Sequence, residues 1–441
     1  MKKILIGLLV GVVFFALAFY FFKMQHAILI GLIAFLVALW TNQALPLGIV
    51  SLLPILLFPA FGIIDVKTVV PNYSKSIIFL FLGGFMLAIA LQKIELHKYL
   101  SKKLLLLFPH TPRGIVYALA ITSALLSSIL SNTTITLMLM PIGLFLTENL
   151  KLKVRFLIAI AYGASIGGII TPIGTPPNMI LLGFLESWHL AVPTFGEWMI
   201  QVAPIALLML VSVPYILSIG LKDEVLEPLT TEILVLNKEQ KRLLWILGTL
   251  VLLLIVNTPI KPYYMGLGLN EKLILLGYGM LMFVPKIGFL EWEDTNKIPY
   301  EIVFLFGAGF SIATAFTQTQ LASEIAHRLD FLLDMPMILL FLFIALFVSF
   351  STEITSNTAL TSIVLPIFYE LSINMGESAM VVLMVATISA SYAFMLPIAT
   401  PPNAIIMSSR VIEIKEMAKF GFFINLLGVI FVTIVAYFLW L

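Results

Sequence analysis

The chain has 441 residues, of which 61% are hydrophobic and only 11% are charged, and its mean hydropathy is +1.10. A soluble protein needs about a quarter charged residues to cover its surface, so this composition excludes a water-soluble fold. The formal net charge of +2 argues against a nucleic-acid partner. Cysteine is absent, which excludes disulfides, thiolate metal sites and thiol chemistry.

The first apolar run, residues 4–22, follows Met-Lys-Lys and has the charge pattern of a secretory signal peptide. It is too long for one, and no small-x-small cleavage site precedes Lys23. We predict a retained first helix, with a signal peptide as the alternative. Each long apolar run is near the roughly 20 residues that a helix needs to cross a bilayer. The chain is therefore predicted to be an all-α polytopic protein embedded in the lipid bilayer.

Eleven full crossings and two re-entrant hairpins account for the apolar runs. The predicted crossings are 4–22, 27–44, 47–63, 77–93, 156–185, 198–220, 243–259, 270–285, 300–317, 378–409 and 419–441. The hairpins are predicted at 113–147 and 336–370, and each returns to the side from which it enters. Leucine-rich, partly charged stretches at 94–109 and 320–334 are predicted as interfacial arms rather than solvated linkers, since each joins a span to a hairpin.

A single shift of 225 residues aligns three separate segments of the chain without a gap. Residues 79–91 match 304–316 at 7 of 13 positions, 131–142 match 356–367 at 6 of 12, and 171–180 match 396–405 at 7 of 10. Shared apolar composition does not give such identity, so the chain is predicted to contain a duplicated membrane unit. The predicted parts are an extra N-terminal helix at 1–25, a first repeat at 26–221, a cytoplasmic linker at 222–242 and a second repeat at 243–441.

Positive charge predicts how the two repeats are oriented. Residues 93–155 hold eight Lys or Arg against two Glu, whereas the flanks of the second hairpin, within 318–380, hold one Arg against five acidic residues. By the positive-inside rule the first hairpin enters from the cytoplasm and the second from outside, so the repeats are inverted. With the N-terminus cytoplasmic and the C-terminus outside, 19 of the 25 basic residues lie inside. The predicted location is the plasma membrane, that is, the cell inner membrane.

Four short polar segments are predicted to interrupt helices at bilayer depth. The hairpins carry Ser-Asn-Thr at 131–133 and 356–358, and the long spans 156–185 and 378–409 carry Thr-Pro-Pro-Asn at 175–178 and 400–403. Successive poor helix formers break the hairpins, and paired prolines remove two amide donors from each span. Irregular backbone at this depth survives only where it is buried in protein or lines a watery cavity. Four breaks in two inverted pairs predict the binding site of a secondary transporter.

The breaks are predicted to hold a cation and an anion together. Helix N-termini offer N–H groups to anions, C-termini offer carbonyls to cations, and Ser, Thr and Asn oxygens suit a hard cation such as Na⁺. No Lys or Arg lies within either kind of break, so no fixed charge neutralises an anionic substrate. Bound sodium is predicted to supply that charge. Any single Ser-Asn-Thr segment is also explained by side chains that bond back to their own helix.

The paired Ser-Asn-Thr hairpins, each followed 43 residues after its Asn by a Thr-Pro-Pro-Asn break, resemble the divalent anion:sodium symporter family over essentially the whole chain. Members of that family move dicarboxylates, citrate or sulfate. The resemblance implies a homodimer in which a transport part moves against a scaffold part as an elevator, with sodium as the co-transported ion. It also implies that the chain is not an enzyme.

The resemblance assigns site residues by matching the motifs. The first sodium site would use Ser127, Ser131, Asn132 and the carbonyl of Gly174, and the second Thr352, Ser356, Asn357 and the carbonyl of Ala399. The substrate carboxylates would be held by Asn132, Thr133, Thr175, Asn357, Thr358 and Thr400.

Two details of the motifs bear on coupling and substrate. A hydroxyl one helical turn before each Ser-Asn-Thr, on Ser127 and Thr352, favours a sodium-coupled member over the family's exchangers. Thr at the third position of both motifs resembles members that prefer C4 dicarboxylates such as succinate, malate and fumarate. Citrate and sulfate remain alternatives, as does sodium-independent exchange of dicarboxylates.

Two further features of the membrane segments receive structural interpretations. Glu353 is the only acidic residue predicted deep in the membrane, where we prefer a hydrogen bond to hairpin or arm backbone over a proton or cation role. Residues 163–167 match the nucleophile pattern G-x-S-x-G, but no strand precedes them, so close helix packing explains them better. The five histidines show no metal-ligand spacing.

Three other function classes are disfavoured. Two occluding hairpins line a continuous pore poorly, which argues against an ion channel. The predicted interior offers no acid pair, Cys-His pair or metal cluster for an intramembrane enzyme. No G-x-x-x-x-G-K-[ST] loop supports ATP coupling. The sequence therefore predicts a secondary active transporter that imports a dicarboxylate with sodium.

Overall fold

The apolar chain folds into α-helices throughout the part that the computed structural model describes, which comprises residues 1–221, 226, 235–260, 262–332, 334–375 and 379–441. Within these residues the only strand-type pairing is an isolated bridge between Ile260 and Tyr264. The predicted all-α class is confirmed. Most of the linker predicted at 222–242 lies outside the described residues, as do the first residue of the span 378–409 and Leu333 of the second arm.

Twenty α-helices, numbered in chain order, run through the described residues. They are α1 Lys2–Phe19, α2 Met24–Asn42, α3 Leu47–Ala60, α4 Val66–Val69, α5 Ser76–Lys93, α6 Leu96–Leu105, α7 Pro112–Ser127, α8 Asn132–Phe145, α9 Leu150–Ile170, α10 Pro176–Ser187, α11 Phe195–Ser218, α12 Lys238–Asn257, α13 Glu271–Leu281, α14 Tyr300–Thr319, α15 Leu321–Arg328, α16 Met337–Ser351, α17 Asn357–Met375, α18 Ala379–Ala390, α19 Pro401–Ser408 and α20 Ile414–Val435. Short 3-10 helices lie at Val70–Ser74, Trp292–Lys297 and Asp330–Leu332, and a π-helical turn follows α20 at Ala436–Trp440.

Seven helical stretches among the described residues are long and apolar enough to cross a membrane. They are α1, α2, Val66–Lys93, α9, α11, α14 and Ile414–Trp440. The other four predicted crossings fall on helices that are shorter or carry charge. α3 and α13 have 14 and 11 residues, α12 begins with Lys-Glu-Gln-Lys-Arg, and α18 ends at Ala390. The predicted hairpin residues form α7 with α8, and α16 with α17.

Corresponding helices in the two halves begin 225 residues apart. Helices α6, α7, α8 and α10 begin at Leu96, Pro112, Asn132 and Pro176, and helices α15, α16, α17 and α19 begin at Leu321, Met337, Asn357 and Pro401. The residues before α6 and α15, Glu95 and Gln320, share a left-handed backbone with φ of 54° and 61°. Such a conformation is costly for residues with a β-carbon. One common offset, with the same strained joint in both arms, favours the predicted duplication.

Glycines set the closest contacts between helices outside the hairpins. A β-carbon on Gly83 of α5 would overlap the Leu275 backbone of α13, and Gly279 of α13 faces Gly83 in turn. Helices α1 and α2 cross at Gly11 and Gly31, where a β-carbon on either residue would lie 3.0 Å from the other's carbonyl oxygen. Small residues of this kind let membrane helices approach closely enough for dispersion to hold them together.

The first hairpin is seated on α9 by the segment 163–167. A β-carbon on Gly163 would overlap the carbonyl oxygen of Ala120, and one on Gly167 would overlap that of Ala124. Both alanines belong to α7, so the glycines allow α7 and α9 to pack backbone against backbone. Helix packing is therefore the role of this segment, as the sequence predicts.

A cluster of polar groups joins α10 to α5 and α13 on the predicted outer side. Glu186, in the last turn of α10, accepts a hydrogen bond from Lys272 Nζ at 2.5 Å and from Ser76 Oγ at 2.7 Å. Lys75 Nζ donates to Ser187 Oγ at 2.7 Å. Because these residues come from three distant parts of the chain, they must share one side of the membrane, as the predicted threading requires.

A second polar cluster lies on the predicted inner side. Asp294 accepts hydrogen bonds from Lys93 Nζ at 2.6 Å and from Lys297 Nζ at 3.0 Å. Burial alone would raise the pKa of Asp294, but the Glu291 amide and the two lysines hold it well below its ordinary value. The predicted threading places all four residues on the cytoplasmic side, which is consistent with this contact.

Gly167→Ala is expected to destabilise the protein, because its β-carbon overlaps the Ala124 carbonyl oxygen. The expected loss is roughly 1–3 kcal/mol, seen as a lower midpoint of thermal unfolding in detergent. Gly248→Ala in α12 is the matched control, since nothing lies within 4 Å of that β-carbon position. Alanine there should be favourable by about 0.5–1 kcal/mol. Equal midpoints for the two variants would contradict the packing role of Gly167.

Candidate functional site

The tip of the first hairpin is the loop 128–131 between α7 and α8. Ser131 caps α8, because its Oγ accepts a hydrogen bond from the Thr134 N–H at 3.2 Å and lies 2.9 Å from Thr134 Oγ1. A capping hydroxyl fixes the residue at which a helix begins. The N-terminus of α8 therefore lies at the tip of the hairpin.

Asn132 connects this tip to the first broken span. Its Oδ1 accepts a hydrogen bond from Ser127 Oγ at 2.5 Å. A β-carbon on Gly168 of α9 would lie 3.1 Å from Asn132 Oδ1 and 3.1 Å from Thr175 Cβ. The absence of a side chain at Gly168 thus leaves room for both. Three predicted site residues, Ser127, Asn132 and Thr175, are brought together here.

The other predicted residues of the first copy surround this group. Gly174 is buried and its α-carbon packs against the backbone of α9. Ser131 is exposed and Thr133 is half-buried, so both are accessible at the hairpin tip. Gln92 of α5 also reaches the tip, where its Nε2 donates to Thr134 Oγ1 at 3.4 Å.

The first broken span is interrupted at 171–175, between α9 and α10. Pro172 has no N–H, so the Gly168 carbonyl lacks its helical partner. Asn178 replaces that donor: its Nδ2 donates to Gly168 O at 3.0 Å and to Thr171 O at 2.9 Å. A side chain thus bonds the carbonyls that the break leaves free, as buried backbone requires.

Asn403 repeats this arrangement in the second broken span. Pro397 deprives the Ala393 carbonyl of its helical donor. Asn403 Nδ2 donates to Ala393 O at 3.1 Å and to Leu396 O at 3.1 Å. Each residue in this arrangement stands 225 positions after its counterpart around Asn178. The two breaks are therefore closed by the same hydrogen bonds.

The tip of the second hairpin differs in one contact from the first. Asn357 Oδ1 accepts the Thr358 N–H at 2.8 Å and lies 3.3 Å from Thr358 Oγ1. Thr352 is fully buried and donates to Ala390 O at 3.2 Å, whereas its counterpart Ser127 donates to an asparagine. Thr358 is buried and the Ser356 residue is half-buried.

The last two predicted residues lie at the end of the second break, which spans 391–400. Ala399 and Thr400 are both buried. Thr400 is the N-cap of α19, and its Oγ1 accepts the Asn403 N–H at 3.5 Å. Ile398 beside them is 68% exposed, so this end of the break faces open space.

The site has hydroxyl, amide and carbonyl oxygens but no charged group of its own. No Lys, Arg, Asp or Glu lies within the four motif segments. The described residues hold no group of three or more His, Asp or Glu that could bind a metal ion. Helices α8, α10, α17 and α19 all begin at these segments and present N–H groups there. Such a site can bind an anion and a hard cation, and it has no general base or nucleophile.

Glu353 lies next to the second tip and is only 3% exposed. Its Oε1 accepts the Met395 N–H at 2.9 Å and Asn425 Nδ2 at 2.6 Å, and its Oε2 accepts the Leu396 N–H at 2.9 Å. The expected structural hydrogen bond to backbone is confirmed. The backbone is that of the second broken span, however, and not that of the hairpin or arm, because the 391–400 segment passes directly over the tip.

Sequence reasoning left several residues of this region unassigned. Asn178 and Asn403 were visible as the last residue of each Thr-Pro-Pro-Asn motif, but only the structure shows which carbonyls they bond. Tyr162 and Asn425 stand as polar residues within apolar spans, which is a signal of buried hydrogen bonding. Gln92 gives no such signal, since it stands one residue before the basic end of α5.

Comparison with known proteins gives near full-length matches. Residues 32–380 match the family described as citrate transporter. The sodium-dependent dicarboxylate transporter SdcS of Staphylococcus saprophyticus subsp. saprophyticus is 30% identical over 473 residues, which covers 99% of this chain and 91% of that protein. SdcS of Staphylococcus aureus (strain USA300) is 30% identical over 480 residues, covering 98% and 91%.

Two solved transporter structures share the fold. The YdaH transporter of Alcanivorax borkumensis has a TM-score of 0.58 at 15% identity, covering 84% of this chain and 86% of that one. MtrF of Neisseria gonorrhoeae, which is described among antimetabolite efflux pumps, has a TM-score of 0.61 at 14% identity, covering 84% and 83%. At these identities the likeness supports the fold alone, and with the apolar helices it confirms the membrane-transporter class.

Asn178→Asp and Asn403→Asp are expected to destabilise the protein, because a carboxylate cannot donate to the two carbonyls that each amide bonds. We expect each variant to cost roughly 1–3 kcal/mol, measured by thermal unfolding in detergent. Asn296→Asp, at an exposed position of the Trp292–Lys297 helix, is the matched control and should change little. Unaltered unfolding of both buried variants would refute the capping role.

Proposed function

Because the chain belongs to the divalent anion:sodium symporter family, we propose that it is a secondary active transporter that carries a C4 dicarboxylate into the cell together with sodium. The observation that carries the proposal is the uncharged site at the four breaks. A dianion has no fixed positive partner there, and helix N-termini supply only partial charge. Bound sodium provides the remaining charge, so dicarboxylate binding depends on sodium.

The two hairpin tips supply the proposed sodium sites. The first uses Ser127, Ser131, Asn132 and the Gly174 carbonyl, and its support is the contact of Ser127 with Asn132 and the proximity of Asn132 to the first break. The second uses Thr352, Ser356, Asn357 and the Ala399 carbonyl. Each set combines hydroxyl, amide and carbonyl oxygens, which are the ligands that hard cations prefer.

The substrate carboxylates are proposed to lie between the two tips. Asn132 and Asn357 begin α8 and α17, so an anion there would meet two helix N-termini as well as the asparagine amides. Thr133, Thr175, Thr358 and Thr400 would donate hydroxyl hydrogen bonds to the same carboxylates.

A sodium-coupled citrate carrier is the second candidate, favoured by the description of the family that matches residues 32–380. The near full-length likeness to proteins named sodium-dependent dicarboxylate transporters favours the C4 substrates. The two candidates differ by one carboxylate. A competition experiment separates them.

The proposed motion is an elevator, in which a transport part containing both hairpins and broken spans moves against a scaffold. Helix α10 packs on α17 and α18, whereas α5 packs on α13. The Glu186 cluster bridges these two groups, so it would have to open in every cycle. The proposed oligomer is a homodimer in the plasma membrane, with the N-terminus inside and the C-terminus outside.

Uptake of labelled succinate into proteoliposomes is expected to need an inward sodium gradient. Asn132→Ala and Asn357→Ala should each reduce uptake at least tenfold, because each removes a ligand shared by sodium and substrate. Asn296→Ala is the matched control and should transport normally, since Asn296 is exposed and distant in sequence from the motifs. Unlabelled malate and fumarate should compete.

Three outcomes would change this assignment. Uptake that ignores sodium but needs internal dicarboxylate would indicate an exchanger. Competition by citrate with none by malate would indicate the citrate carrier, and competition by sulfate alone would indicate a sulfate carrier.

The chain's lack of cysteine allows a direct test of the elevator. Cysteines at Glu186 and Lys272, joined by a short thiol cross-linker, should block succinate uptake, with recovery when a cleavable linker is reduced. The matched control pair replaces Lys93 and Asp294, whose contact lies within the proposed scaffold, and its cross-linking should leave uptake unchanged. Full uptake by the cross-linked Glu186–Lys272 pair would rule out motion at this seam.

A further inference from the structure

The two broken spans carry the same motif but differ in the length of their break. In the first, α9 ends at Ile170 and α10 begins at Pro176. In the second, α18 ends at Ala390 and α19 begins at Pro401. The positions after the breaks correspond, but the second helix stops five residues earlier in the repeat than the first. One helical turn is therefore unwound in the second copy alone.

Side chains take the N–H groups of that unwound turn. The Phe394 N–H donates to Asn425 Oδ1 at 3.2 Å, and Met395 and Leu396 donate to the Glu353 carboxylate at 2.9 Å each. In a continued helix these three N–H groups would bond to carbonyls four residues earlier. Glu353 and Asn425 thus compete directly with the helix for its donors.

Other side chains take the carbonyls. Tyr392 O accepts the Ser349 hydroxyl at 2.9 Å, and Phe394 O accepts the Tyr162 hydroxyl at 2.5 Å. Tyr162 is fully buried and stacks near Phe394, with ring centroids 4.8 Å apart. The backbone of the unwound turn is therefore bonded on both its donor and its acceptor side, which a dry environment demands.

The first copy has no equivalent set. Ser128 stands where Glu353 stands, and Ile200 stands where Asn425 stands. The Ser128 hydroxyl bonds to Leu125 O within its own hairpin and takes no N–H from the broken span. Without competing acceptors, α9 keeps its last turn and ends at Ile170. The difference between the two breaks follows from these substitutions.

We infer that Glu353, supported by Asn425 and Tyr162, is a positioning residue for the second sodium site. By holding the Met395 and Leu396 amides, it fixes the path of the segment that ends at Ala399, whose carbonyl is the proposed ligand. The first site does not depend on it. This inference rests on the proposed function, and it predicts that the two sodium sites respond differently to a substitution at position 353.

Tyr162 gives this arrangement a second consequence. It belongs to α9 of the first copy, yet it bonds Phe394 O and, at 3.3 Å, Met417 O of the second. A change in the first broken span therefore reaches the second sodium site through one hydroxyl.

The test measures sodium dependence in purified protein without substrate, using the sodium concentration that gives half-maximal thermal stabilisation. Ser127→Ala and Thr352→Ala first assign the two sites. In Glu353→Gln, an amide donor replaces one acceptor, so the half-saturating sodium concentration of the second site should rise about tenfold, with the first site unchanged. Ser128→Ala is the matched control and should shift neither site.

Tyr162→Phe keeps the ring packing and removes only the hydroxyl, so it serves if the glutamine variant folds poorly. It should shift the second site in the same direction by roughly threefold. Glu353→Asp should recover part of the loss, since it restores two acceptors. A purely structural role would lower the unfolding midpoint in sodium-free buffer and leave the sodium dependence of both sites unaltered, which would overturn the inference. Absence of sodium stabilisation in the unmodified protein would instead count against the proposed function.

Discussion

Every backbone N–H and C=O at bilayer depth must find a partner inside the protein, and this constraint organises the centre of the structure. The two broken spans expose polar backbone where no bulk water can reach it. Asn178 and Asn403 replace the donors that prolines remove, and Glu353 holds amides that a helix would otherwise use. The breaks are thus stable conformations with their own hydrogen bonds. Groups left free at the helix N-termini are directed to one place.

The uncharged character of that place explains the proposed coupling. A fixed lysine or arginine would bind a dianion with or without sodium, and an acidic residue would bind sodium with or without the dianion. With neither in the motif segments, each ligand supplies the charge that the other lacks. Glu353 does not alter this logic, because its carboxylate is occupied by three donors of the second span and its neighbour. Its effect on binding is exerted through the backbone path.

Much of this arrangement could be predicted because duplication repeats its chemistry. The Ser-Asn-Thr and Thr-Pro-Pro-Asn motifs located both hairpin tips, and the starts of α8, α10, α17 and α19 fall where the motifs place them. The partners of those motifs could not be predicted. Asn425 and Tyr162 lie far along the chain from Phe394, and nothing in their own sequence neighbourhood names that residue. The difference in length between the two breaks was missed for the same reason.

The sequence by itself determined the all-α membrane class, the positions of the breaks and the neutrality of the site. These are local properties: hydrophobic run length, proline without an N–H, and the residue types within a short motif. Only the tertiary structure decided that Asn132 lies against Thr175 across Gly168, and that a glutamate from the second hairpin unwinds the last turn of α18. Those outcomes depend on which distant helices pack together, and hydrogen bonds between distant segments leave no local mark in a sequence.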